Sequence, residues 1–159
     1  MATQPKKDAI ASAIVDALRG ISKGAGYRTE IGKNVSRRRW NEVTVNATKF
    51  PVASVWIGNG EPSPVACMGS YKERAMVVVE VWVRAADQAD LDTECLNAEA
   101  DVKAAIFGST AQAALSALGY GVVMVPGKNV ADHQEFADLK IGSKAVGFVV
   151  DYNWTATAP

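Results

Sequence analysis

The feature that most constrains the fold is a run of β-forming residues that leads directly into an amphipathic helix. The run covers residues 75–84 and reads Ala-Met-Val-Val-Val-Glu-Val-Trp-Val-Arg. Because successive side chains of a strand point to opposite sides, one face carries Val77, Val79, Val81 and Val83. The other face carries Met76, Val78, Glu80, Trp82 and Arg84. We expect only the valine face to lie in a dry core, and the mixed face to meet water or another protein chain.

The length and charge of the chain narrow the class of protein. A length of 159 residues predicts one domain, spanning residues 1–159. Lysine and arginine together number 17, as do aspartate and glutamate, so the formal net charge is zero. Proteins that mainly bind nucleic acid usually carry a basic excess, so this balance weighs against that class. No apolar run approaches the ~20 residues that span a bilayer, and we expect no membrane partner.

Apolar residues at helical spacing predict three helices. They cover residues 6–21, residues 87–107 and, after a capping-box pattern, residues 109–118. The buried stripe of the second helix is expected to consist of Leu91, Cys95, Ala98, Val102, Ala105 and Ile106. Its carboxylates are expected on the solvated side and in the first turn: Asp87, Asp90, Asp92, Glu94, Glu99 and Asp101.

The strand pattern completes the fold prediction. Strands are predicted at residues 26–32, 52–57, 75–84, 120–125 and 146–154, with an edge strand at 134–139. Residues 58–74 contain three glycines and two prolines, and are predicted to form a long loop. This order predicts an α+β domain with a mixed, mostly antiparallel sheet and two main helices packed on one face.

No pattern of catalytic or cofactor-binding residues stands out. The single histidine, His133, lacks a nucleophile partner and has only Asp132 and Glu135 as nearby ligands, which is poor support for a metal site. Cys67 and Cys95 have no partner at metal-ligand spacing and are expected to be reduced thiols. We therefore predict no enzyme activity, no metal and no cofactor.

Several charged and aromatic residues are instead candidates for an interface. Arg37, Arg38 and Arg39 precede Trp40; this group fits a solvated loop, a protein interface that uses Arg and Trp as anchors, or contact with phosphates and bases. The zero net charge disfavours the last reading. The remaining candidates for an interface or a lumen are Lys72, Arg74, Glu80, Trp82 and Arg84. Trp82 lies on a strand face that looks half-exposed in the lone chain; such residues are more often core than contact, but its position between Glu80 and Arg84 fits a subunit contact.

The order of segments resembles that of the tail terminator (tail completion, or minor tail) proteins of long-tailed bacteriophages. The similar features are an N-terminal helix ending in Gly26-Tyr27, a Thr29-Glu-Ile-Gly32 strand, and Phe50-Pro-Val-Ala-Ser-Val-Trp56 leading into a loop. The valine strand, the helix over 87–107, the Leu118-Gly-Tyr120 turn and the terminal Asp151-Tyr-Asn-Trp154 complete the set. The resemblance spans nearly the whole chain but rests on organisation rather than on a signature motif.

The resemblance implies a virion structural protein without catalytic residues. Its subunits would form a homohexameric ring that caps the head-proximal end of the tail tube, stops tube polymerisation and joins the tail to the head connector. Its partners would be other copies of itself, the tail tube protein and the head–tail connector protein, after assembly in the host cytoplasm. DNA would pass through the lumen without sequence-specific binding. The alternatives are another neck, head-completion or tail-tube protein, or a small ligand-binding α+β domain using His133.

Overall fold

A computed structural model describes residues 6–37, 49–67, 70–118, 124–126, 135–136 and 140–155. The helices are α1 (Lys6–Arg19), α2 (Gln88–Phe107) and α3 (Ser109–Ala117). The strands are β1 (Val35–Ser36), β2 (Val52–Cys67), β3 (Ser70–Arg84), β4 (Met124–Pro126), β5 (Glu135–Phe136) and β6 (Ile141–Thr155). Two 3₁₀ turns, Lys23–Ala25 and Ile31–Asn34, follow α1.

The described strands form one mixed, mostly antiparallel sheet, which confirms the predicted α+β class. The strand order is β1-β2-β3-β6-β4, and β5 also pairs with β6. Among the strands that the structure describes, only β1 and β2 pair in parallel. Strand β3 pairs along its whole length with β6 and over most of its length with β2. The valine run therefore lies in a central strand of the sheet.

The predicted valine face lies in the main core. We call this side of the sheet the inner face; it consists of Ala53, Val55, Ala75, Val77, Val79, Val81, Val83, Val146, Phe148 and Val150. All of these residues are buried, and they form one cluster with the buried residues of α1 and α2. Gly142, opposite Val83, shows how closely α2 approaches: an added Cβ would lie 2.8 Å from Sγ of Cys95. The predicted apolar stripe of α2 is buried in full.

The prediction of a long loop at residues 58–74 is wrong. Residues 58–67 continue β2 and residues 70–74 begin β3, so the segment is the distal part of a long hairpin. Register shifts between Ile57 and Gly60 and between Pro62 and Ala66 accommodate the glycines and prolines. Pairing of residues 70–74 with residues 151–155 of β6 satisfies the second side of β3. This long-range pairing outweighs the local turn signals.

The prediction of a strand at residues 26–32 is also wrong. The segment runs from one 3₁₀ turn to the next, and Gly26 has a left-handed φ of 89° that favours glycine. Gly32 packs against the end of α1, where an added Cβ would lie 2.4 Å from the carbonyl oxygen of Arg19. These glycines serve a tight turn and a close backbone approach rather than the ends of a strand.

Asp101 holds this turn in place from α2, and its predicted position on the solvated side is wrong. The carboxylate is buried and accepts hydrogen bonds from the backbone N–H of Thr29 (2.7 Å), the Thr29 hydroxyl (2.7 Å) and the backbone N–H of Arg28 (3.0 Å). Backbone donors that are not in a strand need other acceptors when buried. A single carboxylate supplies them here.

The remaining predicted elements agree in kind but differ in their ends. The first helix ends at Arg19 rather than Ile21, and the last strand begins at Ile141 rather than Val146. The strand predicted over 120–125 is described only as Met124–Pro126, and the edge strand over 134–139 only as Glu135–Phe136. The other residues of these two predictions lie outside the described part of the chain.

Candidate interface on the outer face of the sheet

The side of the sheet opposite the main core carries a row of partly exposed apolar residues. We call this side the outer face. Trp56 of β2, Met76 of β3 and Val149 of β6 lie on it, and Met76 is directly opposite Val149. Gly58 lies beside the first two: an added Cβ would be 3.8 Å from Cβ of Met76 and 3.9 Å from Cζ3 of Trp56. Met76 is 36% exposed, so the row reaches solvent.

One end of this row is bounded by an ion pair between neighbouring strands. Arg74 donates from Nε to Oδ1 of Asp151 (2.7 Å) and from Nη2 to Oδ2 (3.0 Å). The two residues are register partners on β3 and β6. The carboxylate is 7% exposed and the guanidinium side chain is 58% exposed. Bidentate geometry fixes the guanidinium plane, so a predicted interface residue is held rigidly at the surface.

The other end of the outer face does not match the sequence expectation. Trp82 is fully buried (0% exposed) rather than half-exposed, and forms a second, smaller cluster with Val52, Ile141 and Phe50. The prediction of a half-exposed Trp82 is therefore wrong. A large aromatic side chain gains most from burial when neighbouring side chains enclose it. Strand alternation predicts the face on which Trp82 lies, but it does not reveal the neighbouring side chains that bury it.

The other charged candidates are dispersed. Arg84 is exposed, with its guanidinium carbon 4.8 Å from the centre of the Phe50 ring, a cation–π distance. Glu80 is half-buried on the outer face. Arg37 forms an ion pair with Asp8 of α1, away from this face. Lys72 is described through its backbone alone, opposite Asn153.

The rest of the basic cluster and the single histidine cannot be placed. Arg38, Arg39 and Trp40 lie outside the described residues, as do His133 and Asp132. Of the nine predicted interface residues, the structure therefore brings Arg74, Glu80 and Arg84 to the outer face with side chains that reach solvent at least in part.

A second ionic group links α1 to the hairpin on the inner side. Lys7 lies 2.6 Å from Glu73, and the Tyr152 hydroxyl also influences this carboxylate. Partial burial acts to raise the pKa of Glu73, but Lys7 and Tyr152 outweigh it and hold the pKa below its usual value. Burial, and then the Glu73 carboxylate, raise the pKa of Tyr152.

An open cleft of about 760 Å³ lies between α1, α3 and the turn at residues 25–27. Its wall is formed mainly by alanines, with Tyr27, Thr110 and Leu118 among the larger lining residues. Sequence periodicity did not indicate the cleft, because alanines on adjacent helices look like ordinary core positions. Its size falls in the range of small-molecule sites.

Two residues of α2, Asp101 and Leu96, depart from the pattern that the predicted stripe implies. Asp101 is predicted among the solvated acids, although it lies only about 40° around the helix from the buried Ala105 and so borders the buried stripe. Leu96 is 57% exposed, and lies on the side of the helix away from the predicted stripe. The spacing of Leu96 from the other apolar residues of α2 is the sequence signal that it lies outside the buried stripe.

No set of three metal-ligating side chains comes together among the described residues. Nor does any helix in that part of the chain have the length and apolar character needed to cross a membrane. No protein-family model matches the sequence, and no curated protein is similar to it at a significant level.

Proposed function

We propose that the chain is a ring-forming structural protein of a phage tail. In this role it caps the head-proximal end of the tail tube, stops tube polymerisation and joins the tail to the head connector. The order of segments in the sequence suggests the family. The observation that carries the ring is the apolar row on the outer face, Trp56, Met76 and Val149, beside the rigidly held Arg74. Aromatic, methionine and arginine side chains are enriched at protein interfaces.

The row suits a contact between unlike surfaces. A closed ring needs each subunit to present two different patches, one to each neighbour. The inner face belongs to the main core together with buried residues of α1 and α2, so the outer face offers one such patch without disturbing that core. Because Trp82 is buried and cannot serve as a contact residue, the proposed interface lies nearer the hairpin end of the sheet.

The test is the solution mass of the protein by light scattering behind a sizing column. We expect closed rings of about six chains, singly or joined in pairs, and we expect Met76→Lys to abolish the rings because a charge would enter the apolar row. Ser116→Lys on the exposed side of α3 is the matched control and should keep the ring. A Met76→Lys variant that retains the six-chain mass would exclude the outer face as the ring surface.

A tube protein is the nearest alternative, and electron microscopy of the same sample separates the two. A terminator should yield closed rings, singly or joined in pairs, whereas a tube protein should polymerise into open-ended stacks. Stacks that lengthen with protein concentration would assign the chain to the tube instead.

The cleft between α1 and α3 favours a second candidate, a small ligand-binding domain. A ligand that binds only the folded chain raises its melting temperature by mass action. If the cleft is a site, fatty acids or other apolar compounds should raise the melting temperature. Ala114→Leu, which narrows the cleft, should remove that rise. A panel of such compounds without any shift would leave the ring as the sole function with support.

A further inference from the structure

Helix α2 carries a second apolar stripe on the side opposite its buried stripe, and three of its four residues face away from the core. The buried stripe runs through Leu91, Cys95, Ala98 and Val102. On the opposite side of the helix, steps of seven, four and seven residues give Ala89, Leu96, Ala100 and Phe107. With 3.6 residues per turn, these four lie within about 40° of one another. Ala89, Leu96 and Phe107 are exposed and Ala100 is half-buried.

This stripe is unusual for a solvated helix surface. Leu96 and Phe107 are two of the three large apolar side chains exposed among the described residues; the third is Met76 on the outer face. Phe107, at the end of the helix, turns the edge of its ring toward the core, where the centre of the buried Phe148 ring lies 6.2 Å away, so Leu96 is the large side chain that projects from the stripe. A groove of about 390 Å³ opens beside Ala100 and Ala104, against Tyr27. The stripe therefore offers both a projecting leucine and a concave place to receive one.

We propose that this stripe pairs with the same stripe of a second copy of the chain, with the two α2 helices antiparallel about a two-fold axis. If Leu96 lies opposite Ala100 of the second copy, the symmetry places Ala100 opposite Leu96 of that copy. The same register puts Ala89 opposite Phe107 at both ends. Each large side chain then meets a small one, as interdigitated helix packing requires.

The charges beside the stripe favour the antiparallel arrangement. Among the exposed acids in the first half of α2, Asp92 borders the stripe, about 60° around the helix from its middle, whereas Asp90 and Glu94 lie about 100° or more away. Lys103 lies in the second half, with its side chain 43% exposed and paired with Glu99. In the proposed register, Lys103 lies within about one residue, or 1.5 Å of helix rise, of the level of Asp92 in the second copy. A parallel pair would instead place the acidic halves together.

This contact does not depend on the proposed ring. A two-fold contact uses one surface twice and joins chains in pairs, whereas a ring uses two different surfaces. The stripe on α2 and the outer face of the sheet lie on opposite sides of the molecule, so both contacts are geometrically compatible. The two proposals can therefore fail separately.

The first experiment compares the solution masses of the wild type, Leu96→Lys and Met76→Lys across a concentration series. We expect Leu96→Lys to halve the wild-type mass, whether that mass is a pair or two joined rings, and to weaken pairing by about tenfold or more. Met76→Lys should keep the pair. A wild type that stays a single chain, or a Leu96→Lys mass equal to that of the wild type, would overturn the proposal.

The second experiment tests the register with charge exchange, and does not depend on how Leu96→Lys folds. Lys103→Glu should weaken pairing several-fold because it would face Asp92 of the second copy. Combining it with Asp92→Lys restores opposite charges at both symmetric contacts, and should restore pairing. A double variant that pairs no better than Lys103→Glu alone would exclude the antiparallel register.

Discussion

The two faces of β3 differ in a way that their sequences only partly indicate. On the inner face, Val77, Val79, Val81 and Val83 are all buried against the same cluster. On the outer face, burial changes along the strand: Met76 is 36% exposed, whereas Val78 and Trp82 are at most 2% exposed. Alternation assigns a side chain to a face, but the segments that cover the face decide whether it is buried. A residue on the mixed face can thus be as much a core residue as one on the valine face.

Alanine substitutions at Trp82 and Met76, both on the outer face, should differ strongly in how much they destabilise the fold. This is the largest effect we expect. Trp82→Ala removes a fully buried aromatic ring and should cost roughly 3–5 kcal/mol of unfolding free energy. Met76→Ala removes a partly solvated side chain and should cost under about 1 kcal/mol. Urea unfolding followed by circular dichroism measures both values. Similar losses for the two variants would show that exposure does not divide the outer face.

The Asp101→Ala variant compares the stability contributed by a buried polar residue of α2 with that contributed by the buried Trp82 on the outer face. Asp101→Ala leaves the backbone N–H groups of Arg28 and Thr29 without their acceptor. We expect a loss of roughly 2–4 kcal/mol, since each unsatisfied buried donor costs about 1–3 kcal/mol. Glu94→Ala, at an exposed position on the same helix, is the control and should change stability by less than about 0.5 kcal/mol.

Hydrogen exchange locates the effect of Asp101→Ala. The amides of Arg28 and Thr29 should lose protection in the variant, while amides of β3 keep the order of protection that they have in the wild type. Unchanged protection at Arg28 and Thr29 would contradict the assigned role of the carboxylate.

The sequence predicted those parts of the fold that follow from local periodicity. The valine run, the buried stripe of α2 and the first helix are examples, because repeating apolar positions require one continuous buried side. It failed where distant segments decide the conformation. Residues 58–74 are glycine- and proline-rich, yet they form a hairpin because β6 pairs with its second strand. Residues 26–32 bend around glycines because Asp101, more than 70 residues away, supplies their acceptor.

The candidate surface shows the same division. The sequence placed Met76 and Trp82 in the correct strand, and alternation put both on the correct face, but it placed Arg74 in a predicted loop that is in fact the first part of that strand. It could not show that Trp82 is covered, that Asp151 fixes Arg74, or that Leu96 projects from α2. Each of these facts depends on which strands and helices pack against one another. The spacing of residues along a single sequence does not reveal those contacts.

The pair of Arg74 and Asp151 sharpens the comparison, because one partner is buried and the other is solvated. Arg74→Met removes the guanidinium from a carboxylate that is 7% exposed, and should cost roughly 1–3 kcal/mol. Asp151→Asn leaves a largely solvated guanidinium, which water stabilises, and should cost about half as much. Thermal and urea unfolding of the two variants measure the asymmetry. Equal losses would show that the pair behaves as an ordinary surface ion pair.

The smallest expected effect concerns Glu73 on the inner side, and it depends on pH. Because Lys7 and Tyr152 hold the pKa of Glu73 below its usual value, its ionised form favours the folded state. That stabilisation is present above the unfolded pKa of about 4.3, and is lost as pH falls through the lower pKa of the folded state. We expect it to be under about 1 kcal/mol, since Lys7 is 41% exposed. Urea midpoints of wild type and Glu73→Gln should therefore differ at pH 7 and converge below pH 4. A difference that persists in acid would mean that the variant disturbs packing around Tyr152 rather than the charge of Glu73.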